Sequence, residues 1–464
     1  MKISKKRYLN PYKGIIKTYK FVSIKEIQNI FDPDYYNSFK FFYDSKDNFA
    51  LFYKRACFDQ IIEYINKYFK YRIDKKLTAR LLKENICSII SNIEEYNDVS
   101  IEKAAIDFLD VINEHIKEFE FYIPVYGIDL SCINDFEIGN CHYYKNTKNS
   151  ELRNLIASRK HREEFKNIYK YYNNVPGYFK LHLSAHYKIA AERALSTCNE
   201  ALNILRLYVA SYYFDRIKRS SPSIQMGISG ILAREINNDK LTFPLDFLTD
   251  KKIYAISGRP EAHMSYEINH KLVDYMKSCG LTEINTEISK DNSDKRTKRV
   301  LRAIDWFSRA THSENILNSF IMYIISIECL FSEGRDSKEK YSKYVSTLVN
   351  DNTTEYIHPW DGIVSPGFNK KLKSAIGSRK KRNYVFYKRF IELYEIRNKI
   401  VHGNMTIEKL EQGDILDLET LSRNTILAFI KHKFKDLKMF KKWVNQNTFI
   451  KDSGLKLLSK KFYP

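Results

Sequence analysis

The chain is 464 residues long, 44% hydrophobic, and carries a formal net charge of +21. That length supports sizeable cores in two or three domains, the hydrophobic fraction excludes a disordered chain, and the charge makes polyanions the expected partners. The abundance of Lys, Asn, Ile and Tyr also fits the bias of an AT-rich genome, so charge by itself leaves an anionic membrane or an acidic protein open beside nucleic acid.

The opening "MKISKKRYLNPYKG" has charge but no apolar stretch behind it, and no signal peptide is expected. Residues 55–120 read as helices, because "CFDQIIEYINKYF", "LTARLLKENICSIISNI" and "IEKAAIDFLDVINEHIKEF" space their apolar residues three and four apart. From 119 the texture becomes short strands, in "EFEFYIPVYGIDLSC" and "FEIGNCHYYK", punctuated by Pro124, Gly127 and Gly139. Residues 177–214 begin as a strand and continue as a long helix. In that stretch His182 and His186 lie four apart with Glu192 beyond, a zinc-like spacing on a helix. The first histidine falls in a strand-like run, however, and no Glu follows it as in metalloproteases, so no metal is expected. Residues 219–262 are mixed, with turns at "SPSIQMGISG" and "SGRP". "GISG" (227–230) reads as a turn, since it lacks the lysine and helix of a phosphate loop.

The polar stretch "NTEISKDNSDKRTKR" (285–299) is the clearest boundary, and beyond it the chain reads helical again. "KRVLRAIDWFSRA" is one helix, and "SENILNSFIMYIISIECLFSE" is a second, apolar on most sides and expected to be central. "EKYSKYVSTLVN" is a third, a loop covers roughly 350–368, "NYVFYKRFIELYEIRNKIV" is a fourth and "LDLETLSRNTILAFIKHKF" a fifth. Such a series forms an all-α bundle. The expectation is an α+β protein of two parts, residues 1–290 mixed and residues 291–464 a helical bundle with a basic tail. The longest apolar run (320–331) contains Glu328 and is too short to span a bilayer, so no membrane partner is expected. Seven cysteines without a Cys-x-x-Cys pair point to a reducing, cytoplasmic setting.

The fourth helix ends in "ELYEIRNKIVHGN" (392–404). With 77 Lys and Arg and 11 His in the chain, an Arg-x4-His spacing arises by chance. Its surroundings are more selective. Phe386, Phe390, Leu393, Arg397 and Ile400 share one helical stripe, which puts a guanidinium where an apolar residue belongs. Gly403 suits the position after a helix C-cap, leaving His402 at the exposed end, where the helix dipole favours its protonated form. Upstream, "KKLKSAIGSRKKRNYVFYKR" (370–389) mixes Lys, Arg, Tyr and Phe without an acid. It offers Arg379, Lys380, Lys381, Arg382, Lys388 and Arg389 as candidate RNA-binding residues. The plainer alternative is that Arg397 pairs with a core acid such as Glu328 and His402 only finishes the helix.

The Arg397, Asn398, His402 and Gly403 pattern, preceded by the helix bearing Glu328 and by "RVLRAIDWFSRA", resembles the Apea-like branch of the HEPN superfamily over about 295–435. The resemblance implies a small helical bundle that forms a homodimer or higher homo-oligomer, and in many members a metal-independent endoribonuclease in toxin, abortive-infection and antiphage systems. It assigns the motif to Arg397, Asn398 and His402, with Glu328 supporting, and implies no cofactor. An RNA 2′-OH would attack its adjacent phosphate, histidine would move the protons, and Arg397 would stabilise the phosphorane. The expected products are a 2′,3′-cyclic phosphate and a 5′-OH, and a two-fold dimer would bring two motifs to one composite site. Constitutive RNA cleavage would harm the host, so residues 1–290 are expected to regulate or sense, and the resemblance alone implies a phage-derived protein as trigger. Some HEPN toxins carry a tyrosine two residues after the histidine; here that position is Asn404, which argues against that antitoxin arrangement. A non-catalytic RNA- or nucleotide-binding module, or an interaction scaffold, is the alternative.

Overall fold

The chain is α+β, with helix predominating. The computed structural model describes residues 5–18, 20–23, 39–44, 49–92, 98–148, 150–157, 175–212, 227–237, 240–242, 266–288, 295–313, 315–332, 337–351 and 364–450. In chain order the strands are β1 (Lys20–Ser23), β2 (Phe39–Asp44), β3 (Phe49–Lys54), β4 (Lys117–Tyr126), β5 (Ile128–Leu130), β6 (Asp135–Ile138), β7 (Cys141–Lys145), β8 (Gly177–Ala185), β9 (Gly227–Ile228), β10 (Leu232–Glu235), β11 (Lys240–Thr242) and β12 (Tyr266–Ile268). The helices are α1 (Asn10–Thr18), α2 (Arg55–Tyr68), α3 (Lys75–Asn92), α4 (Asp98–Glu114), α5 (Glu151–Ala157), α6 (Tyr187–Tyr212), α7 (His270–Ser278), α8 (Leu281–Ile288) and α9 (Lys295–His312). They continue with α10 (Ile316–Phe331), α11 (Lys338–Val349), α12 (Pro366–Ser374), α13 (Arg379–Val401), α14 (Gln412–Lys431) and α15 (Leu437–Asn447).

Two compact units divide the chain. The first holds Met1–Phe121, His182–Ala194 and Leu232–Pro244, and the second holds Tyr122–Leu181, Leu195–Ile231 and Leu245–Pro464. This division does not coincide with a single cut at residue 290. Within the second unit, Gly139 donates its N–H to Asn285 Oδ1 at 2.8 Å, and Asn203 Nδ2 donates to Asp305 Oδ1 at 3.1 Å.

The first unit is built on α1 to α4. Their apolar stripes meet in a core containing Tyr12, Ile15, Phe58, Ile61, Leu82, Ile86, Ile101 and Phe108. Buried Tyr8 finds its obligatory acceptor in the Ala105 carbonyl, 2.6 Å away. The strands β1, β3 and β2 pair antiparallel in that order. The helix expected to run to Phe119 stops at Glu114, and Lys117 already opens β4. The alternation of "EFEFY", with Phe119 and Phe121 buried, outweighs the helical spacing there.

In the second unit β6, β7 and β8 form an antiparallel ladder, and β12 pairs parallel with β5. Gly227 and Ile228 of "GISG", expected as a turn, pair with Tyr126 and Val125 as β9. The turns expected at "SPSIQM" and "SGRP" lie outside the described residues, as do most of the 350–368 loop and the basic tail after 450. The five helices expected beyond 295 are present as α9, α10, α11, α13 and α14, and α12 and α15 add to them. As expected of a central helix, α10 packs against α9, α11, α13 and α14, while the most enclosed helix among the described residues is α14, where Leu418 through Ile430 are all buried. Several of its polar residues find partners inside the bundle. Ser422 and Ser326 hydroxyls lie 2.5 Å apart, and Thr425 bonds the Leu421 carbonyl at 2.6 Å. Polar residues on a buried helix hide its apolar character from a hydropathy reading. Among the described residues no helix is long and apolar enough to cross a membrane.

Candidate active site

Helix α13 carries the motif and is fixed at both ends. Its N-cap, Ser378, accepts the Lys381 N–H. Phe386, Phe390 and Leu393 are buried along one face, each stabilising by about 1.5–3 kcal/mol on area grounds. At the C-terminus Gly403 donates to the Ile400 carbonyl at 3.0 Å and Asn404 to the Lys399 carbonyl at 2.8 Å. Those two bonds make a Schellman motif, closed by Gly403 at φ +74°, a left-handed conformation that glycine adopts without a Cβ penalty.

The guanidinium of Arg397 is held from three sides. Its Nη1 donates to Asn398 Oδ1 at 3.0 Å, its Nη2 lies 3.8 Å from Glu328 Oε1, and its plane sits 5.3 Å from the Tyr394 ring centroid. The Tyr394 hydroxyl donates to the same Glu328 oxygen at 2.5 Å, and the Tyr394 ring stacks on Tyr341 of α11. Burial, followed by the Glu328 carboxylate, pushes the Tyr394 phenol above its ordinary range, which keeps it a proton donor. Arg397 Nε is buried with no hydrogen-bond acceptor among the described residues. Arg397 and Glu328 are 27% and 21% exposed, so the cation reaches solvent while its stem is enclosed.

His402 is the C-cap and is exposed, with its backbone N–H on the Asn398 carbonyl at 3.0 Å. Helix geometry puts Asn398 and His402 on one face, but separates Arg397 from His402 by about 140° around the axis and about 7.5 Å along it. The two are neighbours at one helix end, not a facing pair within a chain.

The expected RNA-binding residues divide differently. Lys380 and Lys381 are exposed at the start of α13. Lys388 lies 5.7 Å from the Tyr384 ring. Arg379 pairs with Asp351 and lies 5.9 Å from the Phe449 ring. Arg382 donates to Asn350 Oδ1 at 3.3 Å and to the Ile376 carbonyl at 2.5 Å. Arg389 grips Asp414 at 2.6 Å and Asp417 at 2.7 Å. Eighteen residues separate Arg379 from Arg397, about 27 Å along the helix. The structure therefore gathers Arg397, Asn398, Glu328 and His402 at one end of α13 and spreads the basic residues from its other end to its middle.

Sequence reasoning missed Tyr394, Tyr341 and the two carboxylates on Arg389. Tyr394 lies three residues before Arg397, so its place under the guanidinium was available from spacing. His182 and His186 do not share a helix: the first lies in β8 and the second just beyond its end. Among the described residues no group of three or more His, Cys, Asp or Glu is placed to hold a metal ion. No family model, curated protein or solved structure matches the chain.

Proposed function

We propose that this chain is a HEPN-type endoribonuclease that cleaves RNA without a metal, acting as an effector of bacterial antiphage defence. What supports the reading is the end of α13, where Asn398 and Glu328 orient the Arg397 guanidinium and His402 stands exposed at a rigid cap. His402 takes the 2′-OH proton or protonates the leaving 5′-oxygen, and Arg397 stabilises the charge that grows on the phosphorane. One chain offers one histidine, turned away from its own arginine. Two copies meeting at their α13 ends supply both proton-transfer groups, so the active form is a homodimer. DNA is spared because it lacks the 2′-OH. A trigger, of phage-protein type, relieves restraint by the remainder of the chain, so resting protein is weakly active.

The test is expression of wild type, Arg397→Ala and His402→Ala in a bacterial host, with and without phage, alongside total RNA on a gel. RNA fragments with cyclic-phosphate ends, from wild type only, are expected. Identical behaviour of all three folded proteins sinks the enzyme. A second reading, an interaction scaffold, draws on the Glu328 and Tyr394 contacts of Arg397. It predicts that Arg397→Ala fails to fold while His402→Ala folds normally.

A further inference from the structure

A cleft of about 750 Å³ opens in the second unit, between β6 with its preceding turn and the pair α7–α8. That volume suits a ligand of nucleotide size. On the helical wall His270, Val273 and Lys277 recur three and four apart and so line one face of α7. On the strand wall Asp135 and Glu137 project to the same side of β6, and His142 stands directly across from Glu137 in the ladder. Asn285 joins the two walls: it accepts the Gly139 N–H at 2.8 Å and donates to the Glu137 carbonyl at 3.5 Å. The opening is thereby braced, not a gap between independent segments.

The two walls carry different chemistry. His270 is in the first turn of α7, where the helix dipole favours an anion, and Lys277 lies about 10.5 Å further along the same face. Neither side chain is drawn into an ion pair among the described residues. The opposite wall offers two carboxylates as acceptors and a flat imidazole. The His142 ring stacks on Tyr144 with centroids 4.5 Å apart, and its Nε2 lies 3.1 Å from Asp135 Oδ1. The imidazole lines the cleft and is 40% exposed, so its ring is accessible from the opening. An inorganic anion would be repelled by Asp135 and Glu137, and a simple cation by Lys277. A molecule that is anionic at one end, and carries hydroxyls or amines and a π-face at the other, matches both walls. We propose that this cleft binds a nucleoside diphosphate, with its phosphates toward His270 and Lys277 and its nucleoside toward Asp135, Glu137 and His142.

The test is calorimetric titration of the full chain with ADP, adenosine and pyrophosphate, repeated with GDP, CDP and UDP. Saturable binding of at least one diphosphate is expected, with its nucleoside and pyrophosphate each weaker by roughly tenfold or more. Lys277→Glu and His142→Ala should each weaken binding by at least about tenfold while keeping the wild-type circular dichroism. His402→Ala should bind as wild type does, which separates this site from the ribonuclease reading. The proposal is overturned if no diphosphate binds saturably, or if binding is unchanged in both folded cleft variants.

Discussion

Arg389 and Arg397 lie eight residues apart on α13, and the surroundings of each are opposite in kind. Arg389 has both faces of its fork on carboxylates, with Nε 2.8 Å from Asp417 and Nη2 2.6 Å from Asp414. Asp417 is fully buried and also accepts the Ser365 N–H and hydroxyl. Burial pulls the Asp417 carboxyl up against those donors, and the two carboxylates raise Arg389. Among the described residues Arg397 has a single carboxylate at 3.8 Å, shared with a tyrosine, and an enclosed Nε without an acceptor. One arginine is saturated by its own fold. The other is steered but keeps capacity for an oxyanion. A basic residue on a helix becomes a candidate for chemistry through what it still lacks.

The largest expected effect separates the two directly. Arg389→Ala leaves Asp417 buried without its cation and should destabilise the fold by about 3–5 kcal/mol, read from denaturant unfolding. If stability holds and only RNA affinity falls, Arg389 is a nucleic-acid contact and the contrast collapses. Arg397→Ala should do the reverse. Its pair with Glu328 is partly exposed and long, so stability should change by about 1 kcal/mol or less, while cleavage by the activated protein drops about 10²–10³-fold. A loss of stability comparable to Arg389→Ala would make Arg397 a structural residue.

The position of the motif was legible before the fold was known, and the contrast between the arginines was not. Phe386, Phe390 and Leu393 announce the buried stripe by spacing alone, and Gly403 announces the cap. These are local signals, carried within four residues. Asp414 and Asp417 act on Arg389 from 25 and 28 residues away, across a helix whose Ser422, Asn424 and Thr425 disguise its burial. The short helix α12 was not among the expected helices, because its signal is a cap: Ser365 accepts the Phe368 N–H and Pro366 opens the first turn. Partners brought together by packing leave no periodicity to read.

Two smaller changes probe how rigidly the motif end is held. Gly403→Ala meets no atom within 4 Å, so its cost is purely that of a Cβ at positive φ, about 1–2 kcal/mol, seen as a lowered Tm. Cleavage should fall further than Tm alone explains, because His402 is the residue that this turn places. Tyr394→Phe keeps the ring beneath Arg397 and its stack on Tyr341 but removes the hydroxyl from Glu328. About 0.5–1.5 kcal/mol of stability should be lost, with cleavage reduced less than tenfold. A drop as deep as that of Arg397→Ala would place the Glu328–Tyr394 bond inside the catalytic machinery.

The smallest effect tests the far end of α13. Lys380 and Lys381 are exposed, unlike Arg379, Arg382 and Arg389, which hold partners in their own chain. A lysine that neutralises an RNA phosphate releases a counterion, so each such contact contributes about 0.7 to the slope of log affinity against log salt for a single strand. Lys380→Ala and Lys381→Ala together should flatten that slope by roughly 1.4 without moving Tm. Arg382→Ala should leave the slope as it was and lower Tm, because its donors serve Asn350 and the Ile376 carbonyl. If Arg382→Ala flattens the slope instead, the intramolecular bonds of that arginine yield to RNA. The distinction between saturated and available cations then holds at Arg389 but not along the whole helix.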